Sequence, residues 1–70
     1  MTQCERVLHH LREVGSITDA EAVAEYGIHR LAARIYDLRR AGMKITKEMV
    51  KGKNRFGETT RFARYRLEED

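Results

Sequence analysis

The chain has 70 residues, of which 41% are hydrophobic and 36% are charged, with a formal net charge of +3. A domain of this size buries only about 60% of its unfolded surface, so it has a thin core and hardly any room for a deep catalytic cleft. The single cysteine excludes an internal disulfide and fits a reducing compartment. No segment has the pattern of a signal peptide or the length of a membrane span, so we expect a cytoplasmic protein.

The charge is distributed unevenly along the chain. Residues 1–27 carry two arginines against five acidic residues, a charge of −3, whereas residues 28–66 carry twelve Lys and Arg against three acidic residues, a charge of +9. Residues 68–70 are all acidic and are expected to form a solvated tail. The basic second half favours a surface directed at a polyanion. The alternative is that these charges only solvate a helix and a hairpin.

The first helix is predicted over residues 3–14. Thr2 and Glu5 have the spacing of a capping box, in which each side chain accepts a hydrogen bond from the other residue's backbone N–H. Apolar residues then recur on one helical face, and Gly15 suits the left-handed position that ends a helix. These apolar residues are Cys4, Val7, Leu8, Leu11 and Val14. The face expected to be solvated carries Glu5, Arg6, His9, His10, Arg12 and Glu13.

A second helix is predicted over residues 19–26, because Thr18 and Glu21 repeat the capping-box spacing. Between the two helices, Ile17 is expected to turn inward or to pair briefly as a strand. Gly27 supplies the backbone freedom for a sharp turn into the next helix. The positions of the second helix expected to face the core are Ala22, Val23 and Tyr26.

The third helix is predicted over residues 28–41, with Gly42 ending it. One face is apolar at the helical period, so it should enter the core; it carries Ile28, Leu31, Ile35 and Leu38. Arg39 and Arg40 in the last turn complement the negative end of the helix dipole. The opposite face carries His29, Arg30, Ala33, Arg34, Tyr36, Asp37 and Arg40.

After Gly42 the period changes from about 3.6 to about 2, which predicts a β-hairpin over residues 43–67. Its first strand should place on one side Met43, Ile45, Lys47 and Met49. Its second strand should place on one side Ala63, Tyr65 and Leu67, and on the other Phe62, Arg64 and Arg66. Turn-forming residues predict a loop of roughly eight residues from Gly52 to Thr60. This order of elements predicts an α+β winged helix-turn-helix fold: three helices plus a C-terminal β-hairpin wing in one domain over residues 1–70.

Two segments resemble a known family. Residues 21–28, EAVAEYGI, resemble the helix–glycine–turn segment of helix-turn-helix domains, although Val23 stands where an alanine is usual. Residues 33–45, followed by ARYRL at residues 63–67, are similar to small winged helix-turn-helix proteins common in bacteriophages and prophages. The resemblance covers nearly the whole chain and implies DNA binding.

The residues expected to contact DNA fall into two groups. A helix fits the major groove, and the fork of an arginine can bond O6 and N7 of guanine; the residues expected to face bases are His29, Arg30, Ala33, Arg34 and Asp37. A basic hairpin loop would position the domain on phosphates or in the minor groove. The residues expected on the backbone are Arg40, Lys51, Lys53, Asn54, Arg55 and Arg61. Phe56 could pack back under the loop or reach a sugar or a partner surface, and of these we expect packing.

Other chemistries have little support in the sequence. His9 and His10 point about 100° apart on a helix, and His29 has no histidine one turn away, so no metal site is expected. Cys4 lies in an apolar stripe and is expected to be a small core residue rather than a nucleophile. Without a nucleophile–base pair, a phosphate-binding loop or paired carboxylates, we expect neither an enzyme nor a cofactor.

Two functions stay open. The first is a double-stranded DNA-binding protein, such as a small phage or mobile-element regulator of transcription or an accessory factor, with helix 28–41 in the major groove and the basic wing 51–61 on the backbone. A single module makes few base contacts, so specificity would need a homodimer or neighbouring copies. The alternative is a protein-interaction module, such as a phage-encoded inhibitor of a host protein, which would use the acidic side of the first two helices.

Overall fold

The computed structural model describes residues 1–68. They form, in chain order, α1 (Gln3–Val14), β1 (Ser16–Thr18), α2 (Asp19–Tyr26), α3 (Leu31–Arg40), β2 (Ile45–Lys53) and β3 (Thr59–Leu67). The strands form one antiparallel sheet in which β3 lies between β1 and β2. This is the α+β winged helix arrangement that the sequence predicts. The predicted solvated tail includes residues 69 and 70, which lie outside the described residues.

The first helix begins at the predicted capping box. The Thr2 hydroxyl accepts a hydrogen bond from the backbone N–H of Glu5, and the Glu5 carboxylate accepts one from that of Thr2. Hydrogen bonds between Glu5 and Thr2 lower the pKa of Glu5. The bond with the Thr2 backbone has the larger effect and the bond with the Thr2 side chain the smaller. Because this pKa is lowered in the folded state, the interaction stabilises the fold at neutral pH and loses its contribution as the pH falls through the lowered pKa.

Two residues of α1 do not lie where the helical period predicts. His10, expected on the solvated face, is only 7% exposed, because Tyr26 of α2 covers it and places its hydroxyl 2.8 Å from His10 Nδ1. Val14, predicted on the apolar face, is 61% exposed, because the helix ends at Gly15 and the chain turns into β1. In both cases the neighbouring element, rather than the period of the helix, decides which residue is buried.

The second helix packs through a narrower stripe than predicted. Ala22 is buried and Tyr26 is half-buried, whereas Val23 is exposed. The prediction that Val23 faces the core is therefore wrong. Ala22 and Tyr26 lie four residues apart and share one face of this short helix, and Val23 lies to one side of that face.

The turn before α3 determines where that helix begins. Gly27 adopts a φ of 66°, and the N–H groups of Gly27 and Ile28 donate to carbonyls of the last turn of α2, which is a Schellman-type ending. The side chain of Ile28 is buried in the core. The α3 helix starts only at Leu31, not at residue 28 as predicted, so His29 and Arg30 belong to the connection.

The core lies between the helices and one face of the sheet. The α3 helix contributes Leu31, Ile35 and Leu38 of the predicted apolar face and ends at Arg40, one residue before its predicted end. The expectation that Ile17 turns inward or pairs as a strand is met on both counts, because it is buried and opposes Tyr65. The buried side chains of the sheet are Ile17, Ile45 and Tyr65.

The hairpin strands are longer, and their loop shorter, than predicted. The β2 and β3 strands pair along their whole length, so the loop covers residues 54–58 instead of residues 52–60. Gly52 is not a turn residue but part of β2, where a Cβ atom would stand 3.0 Å from Cε1 of Phe62. The ring of Phe62 thus occupies the space that this glycine leaves.

The capping box of α2 should contribute more to stability than that of α1. Thr18 is 8% exposed, and its hydroxyl both accepts from the backbone N–H of Glu21 and donates to its carboxylate, whereas Thr2 is exposed. We expect Thr18→Ala to lower the free energy of unfolding by about 1–2 kcal/mol and Thr2→Ala by about 0.5–1 kcal/mol. Urea unfolding measures both values, and equal losses would contradict the argument from burial.

Candidate nucleic-acid interface

The two faces of the hairpin carry different charge patterns. Because side chains alternate along a strand, the odd-numbered residues of β2 and β3 share the face that packs on the helices through Ile45 and Tyr65. Along these strands, that face carries four cations and no acidic residue. We call them the helix-side cations: Lys47, Lys51, Lys53 and Arg61.

The opposite face neutralises part of its own charge. Glu48 Oε1 lies 3.5 Å from Nη1 of Arg64 and 3.3 Å from Nε of Arg66. Arg64 and Arg66 are thus paired. The side chains of the helix-side cations, by contrast, make no hydrogen bond, ion pair or ring contact with any of residues 1–68. The helix-side face is therefore the one that can accept an external anion without first breaking an ion pair.

The base-facing residues predicted on α3 do not form one open face. Ala33 and Arg34 are half-buried, because Arg34 lies against the start of α1. Nη1 of Arg34 donates to Oε1 of Gln3 at 3.2 Å, and its Nη2 lies 3.3 Å from Oδ2 of Asp37. Cys4 Sγ lies 3.9 Å from the same Asp37 oxygen. Arg34 and Asp37 are thus engaged with each other and with α1.

The other two predicted base-facing residues lie ahead of α3. His29 and Arg30 are both exposed, and Arg30 is the N-cap residue, although its side chain makes no capping bond. Neither side chain has a partner in the part of the chain that the structure describes. They are therefore accessible at the helix N-terminus, which is the end that a recognition helix turns towards bases.

The last turns of α3 offer a second accessible group. Tyr36 is 60% exposed, and the guanidinium carbon of Arg40 lies 5.8 Å from the centre of its ring. The neighbouring Arg39 has a different role, because its Nε and Nη2 donate to the carbonyl of Ile45 at 3.0 and 2.8 Å. Of two adjacent arginines, Arg39 ties α3 to β2 and Arg40 stays on the surface.

Asn54 shapes the tip of the wing. Its side-chain oxygen accepts from the N–H groups of Phe56 and Glu58 at 2.9 and 3.1 Å, and its Nδ2 donates to Oε1 of Glu58 at 3.1 Å. Gly57, with a φ of 77°, lets the chain reverse within the loop. The side chain of Asn54, predicted to contact DNA, is therefore occupied by hydrogen bonds within the tip.

Arg55 and Phe56 lie at the end of the wing. The prediction that Phe56 packs under the loop is wrong: its side chain is 77% exposed. The hairpin joins the core through Ile45 and Tyr65, at the opposite end of the strands from residues 54–58, so the core does not reach the ring. The guanidinium carbon of Arg55 lies over the ring of Phe56, 5.7 Å from the ring centre.

The structure therefore brings Lys51, Lys53 and Arg61 together on one face but separates the predicted residues of α3. Two candidates were missed by the sequence analysis. Lys47 belongs to the same alternating series as Lys51, so the period of the strand could have found it. Tyr36 is four residues before Arg40, a spacing that places both on one helix face.

Other kinds of site find no support in the described residues. Within residues 1–68, no group of three or more His, Cys, Asp or Glu side chains could hold a metal ion. The helices described there are too short or too polar to cross a bilayer.

The two adjacent arginines give a stability test. Arg39→Ala removes two hydrogen bonds to the carbonyl of Ile45, and we expect a loss of about 1–2 kcal/mol in the free energy of unfolding. Arg40→Ala removes the same charge without such a bond and should change stability by less than about 0.5 kcal/mol. Thermal or urea unfolding compares them. A larger loss for Arg40→Ala would contradict the assignment of Arg39 as the structural residue.

Comparison with known proteins agrees with this geometry. The search of curated proteins gave no match, and the search of solved structures gave none. Residues 2–70 match the family described as the winged helix-turn-helix domain. With this match over nearly its whole length, the chain belongs to the winged helix-turn-helix domain family.

Proposed function

We propose that the chain binds double-stranded DNA, with α3 in the major groove and the wing on the flanking sugar-phosphate backbone. Membership of the winged helix-turn-helix family indicates DNA binding in general. The observation that carries the proposal for this chain is the set of helix-side cations, which have no partner within residues 1–68 and share the face of the sheet that packs on the helices.

The arrangement of these cations favours a polyanion. Lys51 and Arg61 lie directly opposite each other in the strand pair, and like charges at opposed positions destabilise a sheet. A phosphate backbone would neutralise both charges and release the counterions condensed on it. In the isolated chain Lys51 and Arg61 repel each other, and a bound nucleic acid would relieve this repulsion.

Base contacts would come from the start of α3 and from the connection before it. His29, Arg30 and Ala33 are proposed to face bases near the helix N-terminus, with Arg30 in the role of a bidentate ligand for guanine. Arg34 and Asp37 would reach bases only by exchanging their present contacts with α1 and with each other. Arg40 and Arg55 would contact phosphates at the two ends of the interface.

The biological role proposed is that of a small regulator or accessory factor of a phage or mobile element, acting in the cytoplasm of a bacterial host without catalysis. One such module makes few base contacts, so a homodimer or neighbouring copies would raise specificity. Without duplex binding, the alternative of a protein-interaction module becomes the better account.

A salt series with two matched variants tests the wing. Lys51→Ala and Arg66→Ala each remove one positive charge, but only Lys51 is a helix-side cation, whereas Arg66 is paired with Glu48. We expect a random duplex to be bound at low salt, and Lys51→Ala to reduce the slope of log K against log salt by about 1. Arg66→Ala should leave the slope nearly unchanged.

Electrophoretic shifts across the salt series measure these slopes. A wild-type chain that binds no duplex at low salt would overturn the proposal of DNA binding. Equal reductions in slope for the two variants would instead show that net charge, rather than the face of the sheet, governs the affinity.

A second pair of variants distinguishes recognition of the base sequence from contact with the phosphate backbone. Arg30→Ala should relax the preference among DNA sequences, at a cost of about 1–3 kcal/mol at the preferred site. Lys53→Ala should weaken all duplexes alike, because phosphate contacts carry no sequence information. Sites selected from random DNA supply the matched and mismatched duplexes. Identical effects of both variants on matched and mismatched sites would contradict this division of roles.

A further inference from the structure

The tip of the wing exposes an aromatic ring without a hydrophobic partner. Among the exposed large hydrophobic side chains of residues 1–68, Phe56 is the most exposed. Its ring contacts the guanidinium group of Arg55, which is itself exposed. The ring of Phe56, at the tip of the wing, adds no packing to the core and is available for an external contact.

The ring is carried by an ordered loop. The N–H of Phe56 donates to the side-chain oxygen of Asn54 at 2.9 Å, and the N–H of Asn54 donates to the carbonyl of Glu58 at 3.0 Å. These bonds hold the backbone of Phe56 in place before any ligand arrives. A group that is ordered in advance loses less conformational entropy on binding.

The wing is long enough to reach a second groove. Six residue steps separate Lys47, which opposes the buried Tyr65, from Lys53 at the end of β2, and at about 3.3 Å per residue they span about 20 Å. Half a turn of B-DNA, which separates a major groove from the adjacent minor groove along the axis, is roughly 17 Å. With α3 in the major groove, the tip would therefore lie at a neighbouring minor groove.

The charges beside the ring favour nucleic acid over an apolar protein surface. Lys53 and Arg55 precede Phe56 closely in the chain, and the guanidinium carbon of Arg55 lies 5.7 Å from the centre of its ring. The one acidic residue of the loop, Glu58, is engaged by Asn54. Phenylalanine side chains of minor-groove proteins insert between base pairs, unstack one step and bend the duplex by about 20–90°. Cations beside such a wedge can bind the neighbouring phosphates and hold it in position.

We propose that Phe56 is a wedge that inserts between base pairs in the minor groove and bends the DNA, so that the chain acts on DNA shape as well as binding it. This inference rests on the proposed function, because it requires α3 and the helix-side cations to hold the duplex. The substrate class is duplex DNA with an easily unstacked step, such as TA or CA/TG.

Ligase-mediated circularisation of short duplexes tests the wedge without knowledge of the preferred site. Fragments shorter than the persistence length of about 150 base pairs close poorly unless a protein bends them. We expect the wild-type chain to promote closure, and Phe56→Ala to lose this effect at saturating protein while its duplex affinity falls by less than about tenfold. Phe56→Leu, which keeps an apolar wedge, should retain part of the closure.

Val14→Ala is the matched control, because it also truncates an exposed hydrophobic side chain but lies at the end of α1, outside the proposed interface. It should close circles as the wild type does. Circular dichroism and unfolding should be unchanged for Phe56→Ala, since the ring is not packed in the core. Any loss of closure then reports on the contact with DNA rather than on folding.

A fluorescence measurement tests insertion directly. The chain has no tryptophan, so Phe56→Trp introduces a single reporter at the tip. Its emission should be quenched by stacking on bases, and its accessibility to acrylamide should fall, when duplex DNA is added. A tryptophan at the tip that stays accessible in a saturated complex would overturn the proposal.

The outcomes separate the two proposals. A wild-type chain that binds duplexes but does not promote closure overturns the wedge and leaves DNA binding intact. Equal closure by the wild type and Phe56→Ala also overturns the wedge. A chain that binds no duplex at low salt overturns DNA binding and, with it, the wedge.

Discussion

The register in which β3 pairs with its two neighbours decides what each side of this protein presents. Tyr65 opposes Ile17 on one side and Lys47 on the other. A shift of one residue would carry the buried ring of Tyr65 to solvent and move Arg64 and Arg66 to the helix side, since side chains alternate with a period of two. The contact that completes the core therefore also determines which cations lie on the same side as the helices.

Residues of the same type differ here mainly through their neighbours. Arg39 donates to a backbone carbonyl and Arg64 faces Glu48, so both are engaged within the chain. Arg61 and Lys51 oppose each other. Like charges at opposed positions destabilise a sheet, but the same two charges attract a polyanion. Net charge alone would not distinguish these two groups of cations.

Packing stabilises the core of this domain, whereas local hydrogen bonds order the exposed tip of the wing. The core holds the root of the hairpin through Ile45 and Tyr65, but it does not extend to residues 54–58. There the side chain of Asn54 replaces packing. Its hydrogen bonds to Phe56 and Glu58 order the loop together with the backbone bond from Asn54 N–H to the Glu58 carbonyl. A domain this small can thus extend a defined tip beyond the reach of its core.

The sequence by itself determined the helix starts that have capping boxes, the alternation of β3 and the winged helix arrangement, because caps and hydrophobic periods act between residues close in the chain. Only the tertiary structure decided that His10 is buried, that Asn54 is occupied and that Phe56 is exposed. It also decided that Arg34 is engaged with Gln3, thirty-one residues away in the chain. Each of these depends on a contact between elements or on the closure of a loop, and the period of a single element does not specify what packs against it.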